Sequence, residues 1–164
     1  MTGVRPGRPA DLPALTDIYN FYVGTSGVTF DTAEFSVEQR LEWFAHYATT
    51  GPHRLLVAVE DDVLGYATSS AFRPKPGYVT SVETTVYLRP DATGRGLGTL
   101  LYQALFAAIA DEDLHRAYAG VALPNDASVA LHERLGFREI GTYAEVGRKF
   151  GRYWDVRWFE RALP

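Results

Sequence analysis

ETTVYLRPDATGRGLGTLLY, residues Glu83 to Tyr102, is the stretch on which the fold reading turns. Its first third belongs to a strand candidate, Tyr78–Leu88, rich in Val, Thr and Tyr. Its last third opens an apolar helix, Thr99–Ala110. Between them Gly94, Gly96 and Gly98 relieve the backbone of side-chain obstruction, so that successive N–H groups can converge on an anion. The start of the helix adds unpaired amides and the positive end of its dipole, and Arg95 adds a charge. A phosphate or diphosphate suits this turn; a flexible strand-to-helix connection is the plainer reading. No Lys follows the glycines as in a Walker loop, and their every-second-residue spacing is not that of a dinucleotide fingerprint.

Outward from this segment the chain alternates strands and helices. Val4–Pro6 reads as a strand, and Asp11 as the cap of a helix carrying Leu12, Leu15, Ile18 and Tyr22. Ser36 and Gln39 form a capping box for a second helix, with Gly51-Pro52 as its stop. Arg54–Glu60 and Val63–Ala71, split by Asp61-Asp62, read as a hairpin. Ala117–Ala122 is a strand, Asn125–Leu135 a helix, and Arg138–Tyr143 and Tyr153–Glu160 are the closing strands. Strands that alternate with helices in the middle and cluster at the ends predict a mixed sheet with helices on its faces.

Composition narrows the chemistry. At 164 residues, 46% hydrophobic and 22% charged, the chain has the size and balance of a single soluble domain, 1–164, placed in the cytoplasm. Sixteen basic against 20 acidic residues leave a net charge of -4, which offers no footprint for nucleic acid or an anionic membrane. Cysteine is absent, so thiol nucleophiles and thiolate metal sites are excluded, and the four histidines lack metal-ligand spacing. No metal is expected.

Two further constellations carry chemistry. Strand alternation puts Glu83 on the face of Ser81, Thr85 and Tyr87, opposite Val82, Thr84, Val86 and Leu88. A carboxylate there is either solvated or deliberately desolvated; in the second case its pKa rises and it becomes a general base. In PNDASVALHERLGF, Pro124–Phe137, helical spacing lines up Asn125, Ser128 and His132 beside an apolar stripe of Leu131 and Leu135. That polar line either guides a ligand towards a proton-carrying histidine or belongs to an ordinary capped amphipathic helix.

Taken in order, ETTVYLRPDATGRGLGTLLY, ALPNDASVALHERLGF (Ala122–Phe137) and GRKFGRYWDVRWFE (Gly147–Glu160) resemble the GNAT superfamily of N-acetyltransferases. The likeness is nearest to its phosphinothricin and methionine sulfoximine acetyltransferase group. The resemblance implies an α/β fold whose mixed, mostly antiparallel sheet splays between strands 4 and 5, beside a bulge in strand 4. It implies acetyl-CoA as co-substrate, bound by Val86, Tyr87 and Leu88, by Gly94, Arg95, Gly96, Leu97, Gly98 and Thr99, and by Asn125 and Ser128. Glu83 matches the catalytic carboxylate, and His132 the residue that reprotonates the departing thiolate. Phe30, Arg73, Lys75, Tyr78 and Thr85 fall on the amine-substrate side, with Lys75 where the group usually has Arg. Thr93 and Tyr153 depart from its pattern too.

The expected reaction is acetyl transfer to the primary amine of a small amino-acid-like substrate, in a homodimer. The competing readings are acetylation of a polyamine, an aminoglycoside or a protein N-terminus, and a non-catalytic acyl-CoA sensor.

Overall fold

Alternating apolar residues decide which face of each strand meets which helix. In β2 (Leu55–Val59), Leu55 and Val57 face one way, packing with Leu15 and Ile18 of α1 (Leu12–Thr25). Leu56 and Ala58 face the other way, against Leu101 and Leu105 of α3 (Leu97–Ala108). This two-residue period, fully buried on both faces, is what a sheet sandwiched between helices requires. The computed structural model describes residues 1–164.

Seven strands form one sheet: β1 (Gly3–Pro6), β2, β3 (Val63–Ala71), β4 (Ser81–Leu88), β5 (Arg116–Ala122), β6 (Arg138–Lys149) and β7 (Arg152–Ala162). Their spatial order is β1-β2-β3-β4-β5-β7-β6. All neighbours are antiparallel except β4 and β5, which run parallel. The remaining helices are α2 (Val37–Ala45) and α4 (Asp126–Arg134). No helix is long and apolar enough to cross a membrane.

Local signals account for several boundaries. Ser36 Oγ accepts from the Gln39 amide and the Gln39 side chain accepts from the Ser36 amide, so the capping box of α2 forms as expected. That helix ends at Ala45 rather than at Gly51-Pro52, since His46 and Tyr47 already turn back to Trp43 and Phe44 carbonyls. Asp11 does not cap α1 with its side chain. Its carboxylate is drawn instead into a bidentate pair with Arg5, at 2.8 Å for each bond, and accepts from the Arg8 amide at 2.7 Å. The Pro76–Tyr78 turn shortens β4, which starts at Ser81 rather than Tyr78. The last two strands run longer than expected and meet in a tight turn at Phe150 and Gly151, both with positive φ.

Divergence of the sheet is confined to one seam. β4 and β5 share only three rungs, Ser81 with Arg116, Val82 with Ala117 and Glu83 with Tyr118, and then part. On its other side β4 keeps unbroken register with β3, from Gly65–Leu88 to Ala71–Val82. The expected bulge in strand 4 is therefore absent. Instead β5 leaves with β7, to which it is paired along its whole length from Arg116 to Ala122.

Candidate active site

The parted strands enclose a cleft of about 450 Å³. Thr84 to Leu88 form one wall, Gly120 to Ala122 the other, and α4 closes it with Asn125, Ser128 and His132. The Arg89 amide bonds to the Leu64 carbonyl on the β3 side. Backbone groups alternate along a strand, so Val86 and Leu88 turn theirs towards the cleft, where β5 has departed. The Leu88 carbonyl accepts from the Tyr22 hydroxyl at 2.5 Å, which leaves its amide as the free group.

The glycine turn forms the end of the cleft. Gly94 and Gly96 adopt φ of 74° and 77°, a left-handed conformation that favours glycine. A Cβ at either would meet nothing within 4 Å, so the space above the turn is open. The first intrahelical bond of α3 is from the Leu100 amide to Gly96 O, at 3.1 Å. The amides of Leu97, Gly98 and Thr99 consequently have no acceptor within the helix. Open space, unpaired amides and a helix N-terminus together fit a diphosphate.

Arg95 is the exception among the expected ligands. Its guanidinium is paired with Glu60 at 2.6 Å and does not line the cleft. Arg134, in the last turn of α4, and Thr93 border the cleft in its place.

The stripe of Asn125, Ser128 and His132 on α4, which the spacing left open between a ligand guide and an ordinary amphipathic face, borders the cleft. Asn125 Oδ1 caps the helix through the Ser128 amide at 3.2 Å. His132 is only 3% exposed, stacked on Phe159 and set edge-on to Phe137. Its Nδ1 lies 2.7 Å from the Ser128 carbonyl and its Nε2 3.0 Å from the Tyr102 hydroxyl. A carbonyl only accepts, so Nδ1 carries the proton and Nε2 receives the Tyr102 O–H. Burial pushes the His132 pKa below the usual imidazole value, against the smaller raising effect of Ser128. The ring is neutral near pH 7.

Across the sheet, under α1 and α2, lies a second cavity of about 480 Å³. Glu83 borders it with Thr68 and Ser70 of β3, Asp31 and Phe35 of the α1–α2 loop, and a wall of Tyr19, Trp43 and Tyr66. Thr85 and Tyr87 border both cavities, so β4 is where the two approach each other. Burial raises the Glu83 pKa above the ordinary carboxylate value, and the Arg73 charge partly opposes that shift. Of the two alternatives for Glu83, the half-buried position stands nearer the desolvated one.

The expected substrate residues separate. Thr85 lines the second cavity and donates to or accepts from Thr68 at 2.7 Å between hydroxyls. Arg73, Lys75 and Tyr78 lie outside it, on the exposed Phe72–Tyr78 segment. Arg73 sits over the Phe72 ring, which stacks on Tyr118 at 4.4 Å. Phe30 is likewise outside; its ring occupies the place a Cβ on Gly147 would take.

Sequence reasoning overlooked, among other side chains that border the cavities, Tyr102, Arg134 and Arg40. Tyr102 reads as one more apolar position of α3, and only the fold brings it to His132. Arg40 had a usable signal, since Trp43 and Phe44 follow at the i+3 and i+4 spacing that shares a helix face. An arginine on the aromatic face of an amphipathic helix asks for an explanation.

Comparison with known proteins shows the family. Residues 15–137 match the acetyltransferase (GNAT) family. The chain is 60% identical to a phosphinothricin N-acetyltransferase of Streptomyces coelicolor, over 98% of this chain and 95% of that one. It is 38% identical to an L-methionine sulfoximine/L-methionine sulfone acetyltransferase of Pseudomonas paraeruginosa, over 98% and 94%. Among solved structures, an acetyltransferase from Salmonella typhimurium with its cofactor acetyl-CoA superposes with a TM-score of 0.93 at 32% identity. That alignment covers 99% of this chain and 94% of the other.

Proposed function

We propose, from the premise that this chain belongs to the GNAT family of acetyltransferases, that it acetylates the amine of a small amino acid. The acceptors put forward are of the phosphinothricin and methionine sulfoximine or sulfone type, on which its relatives act by name. Acetyl-CoA is the acyl donor, and supplies an acetyl group already activated on a thiolate leaving group. One observation carries the reading: a partly desolvated carboxylate, Glu83, borders the aromatic cavity next to β4 residues that also wall the cleft. The residues 1–164 act as one domain in this proposal, and the enzyme works in the cytoplasm.

Each residue then has a role. The amides of Leu97, Gly98 and Thr99 hold the diphosphate, and Val86 and Leu88 orient the acyl arm through their backbone groups. Asn125, Ser128 and Tyr87 complete the cleft. A free α-amine has a pKa of about 7.7–8.0, so near neutrality most of it is protonated and cannot attack. Glu83 takes that proton. The Leu88 amide donates to the oxygen on which charge develops. Holding both substrates against β4 makes the attack effectively intramolecular, the main source of rate where no enzyme nucleophile is used.

His132 returns a proton to the thiolate. Since its one N–H is held by Ser128, it does so only after taking up a proton at Nε2, where the Tyr102 hydroxyl now bonds. Flux by this route falls as pH rises through the depressed His132 pKa, below the reference value of about 6.5. Replacing His132 with Phe is expected to cost most rate below neutrality, with wild type and variant converging at alkaline pH. A constant ratio across the pH profile would remove His132 from this role.

The assembly we propose is a homodimer through the outer face of β6 and β7. Ile140, Tyr143, Val146 and Tyr153 there are 45–56% exposed, apolar surface better suited to a partner than to water. Light scattering of the purified protein checks its mass. The activity itself is tested by thiol release from acetyl-CoA against a panel holding phosphinothricin, methionine sulfone, spermidine and an aminoglycoside. Turnover is expected with the first two; preference for the polycations would overturn the substrate class.

A further inference from the structure

Two polar side chains meet inside the largest apolar cluster of the protein. The buried stripe of α3 runs Leu97, Gly98, Leu101, Tyr102, Leu105 and Phe106, and Tyr102 is its one member with a polar tip. The Tyr102 ring is 0% exposed and stacks on Phe106 at 5.7 Å between centres. Its hydroxyl lies 3.0 Å from Nε2 of His132. That imidazole is bounded in turn by Phe137 and Phe159, at 5.1 and 5.6 Å. The partner of Nε2 is thus a core hydroxyl and not solvent.

Stability alone does not account for the pair. Replacing both partners of a buried hydrogen bond by apolar groups of the same shape is close to neutral. What sets a hydroxyl apart from a carbonyl or an amide N–H is that it both donates and accepts. While His132 is neutral, Tyr102 donates its O–H to Nε2. Once Nε2 carries a proton, the same oxygen accepts it. Nδ1 stays on the Ser128 carbonyl, 2.7 Å away, in both states. The ring therefore changes charge without turning, held at both nitrogens. Burial raises the Tyr102 pKa far above the usual phenol value, so Tyr102 remains a hydroxyl throughout.

The surroundings leave this control to Tyr102. Around the imidazole, α3 brings Tyr102, β7 brings Phe159 and the segment after α4 brings Phe137. Of these only Tyr102 titrates. On α4 itself Glu133 and Arg134 are exposed, and the shift at His132 comes from burial and the Ser128 backbone, not from any charged group.

We propose that Tyr102 is a positioning residue for the proton-returning step: its hydroxyl holds His132 in one tautomer and sets the pH at which the ring charges. This rests on the role given to His132 above and names the group that governs it. With no exposed surface, Tyr102 acts through the imidazole and not on a substrate.

The test reads the imidazole directly. Nitrogen NMR of the wild type, at a pH above its titration, is expected to show the proton on Nδ1 and none on Nε2. The opposite tautomer would overturn the proposal. Tyr102→Phe keeps the ring and removes the hydroxyl. A hydrogen bond to a charged partner is roughly twice as strong as a neutral one, so the cation loses more than the neutral ring does. The His132 pKa is expected to fall by about one pH unit, or about tenfold in the ionisation constant. An unmoved or raised pKa in the variant would overturn the proposal as well.

Rates give a second readout, which a tyrosine that only fills the core would not move. The His132-dependent share of kcat is expected to be about tenfold lower in Tyr102→Phe at any pH above both pKa values. Acetyl-CoA affinity stays as in the parent, and Tyr102→Phe makes no such difference in a His132→Phe background. Thermal unfolding of each variant shows that the fold is kept. A pKa that falls while the pH profile of kcat stays put upholds the hold of Tyr102 on His132, and refutes only the role given to His132 above.

Discussion

Glu83→Gln lowers turnover near neutral pH at least about 100-fold, because the amide keeps the shape of the carboxylate but cannot accept the amine proton. Acetyl-CoA affinity stays close to that of the parent, since Glu83 borders the acceptor cavity rather than the cleft. The pH profile makes the assignment sharper. Burial raises the Glu83 pKa, and a base works only when deprotonated, so kcat/KM of the parent falls as pH drops through a value above the ordinary carboxylate range. Arg73→Ala removes the charge that opposes this shift, and moves the acidic limb to higher pH. Stability runs the other way. An acid whose pKa is raised by folding weakens the native state as pH rises from its unfolded towards its folded value, so Glu83→Gln melts no lower than the parent at neutral pH. Steady-state rates, acetyl-CoA titration and melting curves together check this; retained turnover would rule out Glu83 as the base.

Gly96→Val is the second large effect, and it falls on the other substrate. Gly96 precedes α3 at a φ of 77°, where a β-branched residue is strained by about 1–2 kcal/mol. Its Cβ would project into open space, so the fold tolerates it. That space lies beside the amides assigned to the diphosphate, and filling it is expected to weaken acetyl-CoA binding at least tenfold, or about 1.4 kcal/mol. Gly98→Ala is the control of opposite kind. Its Cβ meets Leu131 Cδ2 at 2.9 Å, so it disturbs the seating of α3 on α4 rather than the open turn. Calorimetric titration distinguishes the two, and parental affinity in Gly96→Val would remove the turn from cofactor binding.

Local chemistry made much of this molecule legible beforehand. The strand–turn–helix of residues 81–108, the hairpin of β2 and β3 and the capping box of α2 each rest on residues close in sequence, and all formed. What escaped depends on distant partners. Asp11 looks like a helix cap until Arg5 claims its carboxylate, and Arg95 looks like a phosphate ligand until Glu60 claims its guanidinium. Arg40 and Tyr102 acquire meaning only from the cavities they border, which several elements build together. The desolvation of Glu83 belongs to the same class: strand alternation gave its face, and packing of α1 and α2 over that face gave its environment.

The brevity of the parallel seam has a consequence for how the sheet behaves as a body. Three rungs join a four-stranded leaf to a three-stranded one, and past Glu83 the ladder is left unfinished. An acyl donor whose arm carries amide groups can supply the missing rungs against Val86 and Leu88, so that binding it amounts to sheet completion. Deuterium should enter those two amides readily in the free enzyme and slowly once the donor is seated, while the amides bridging β3 and β4 keep their pace.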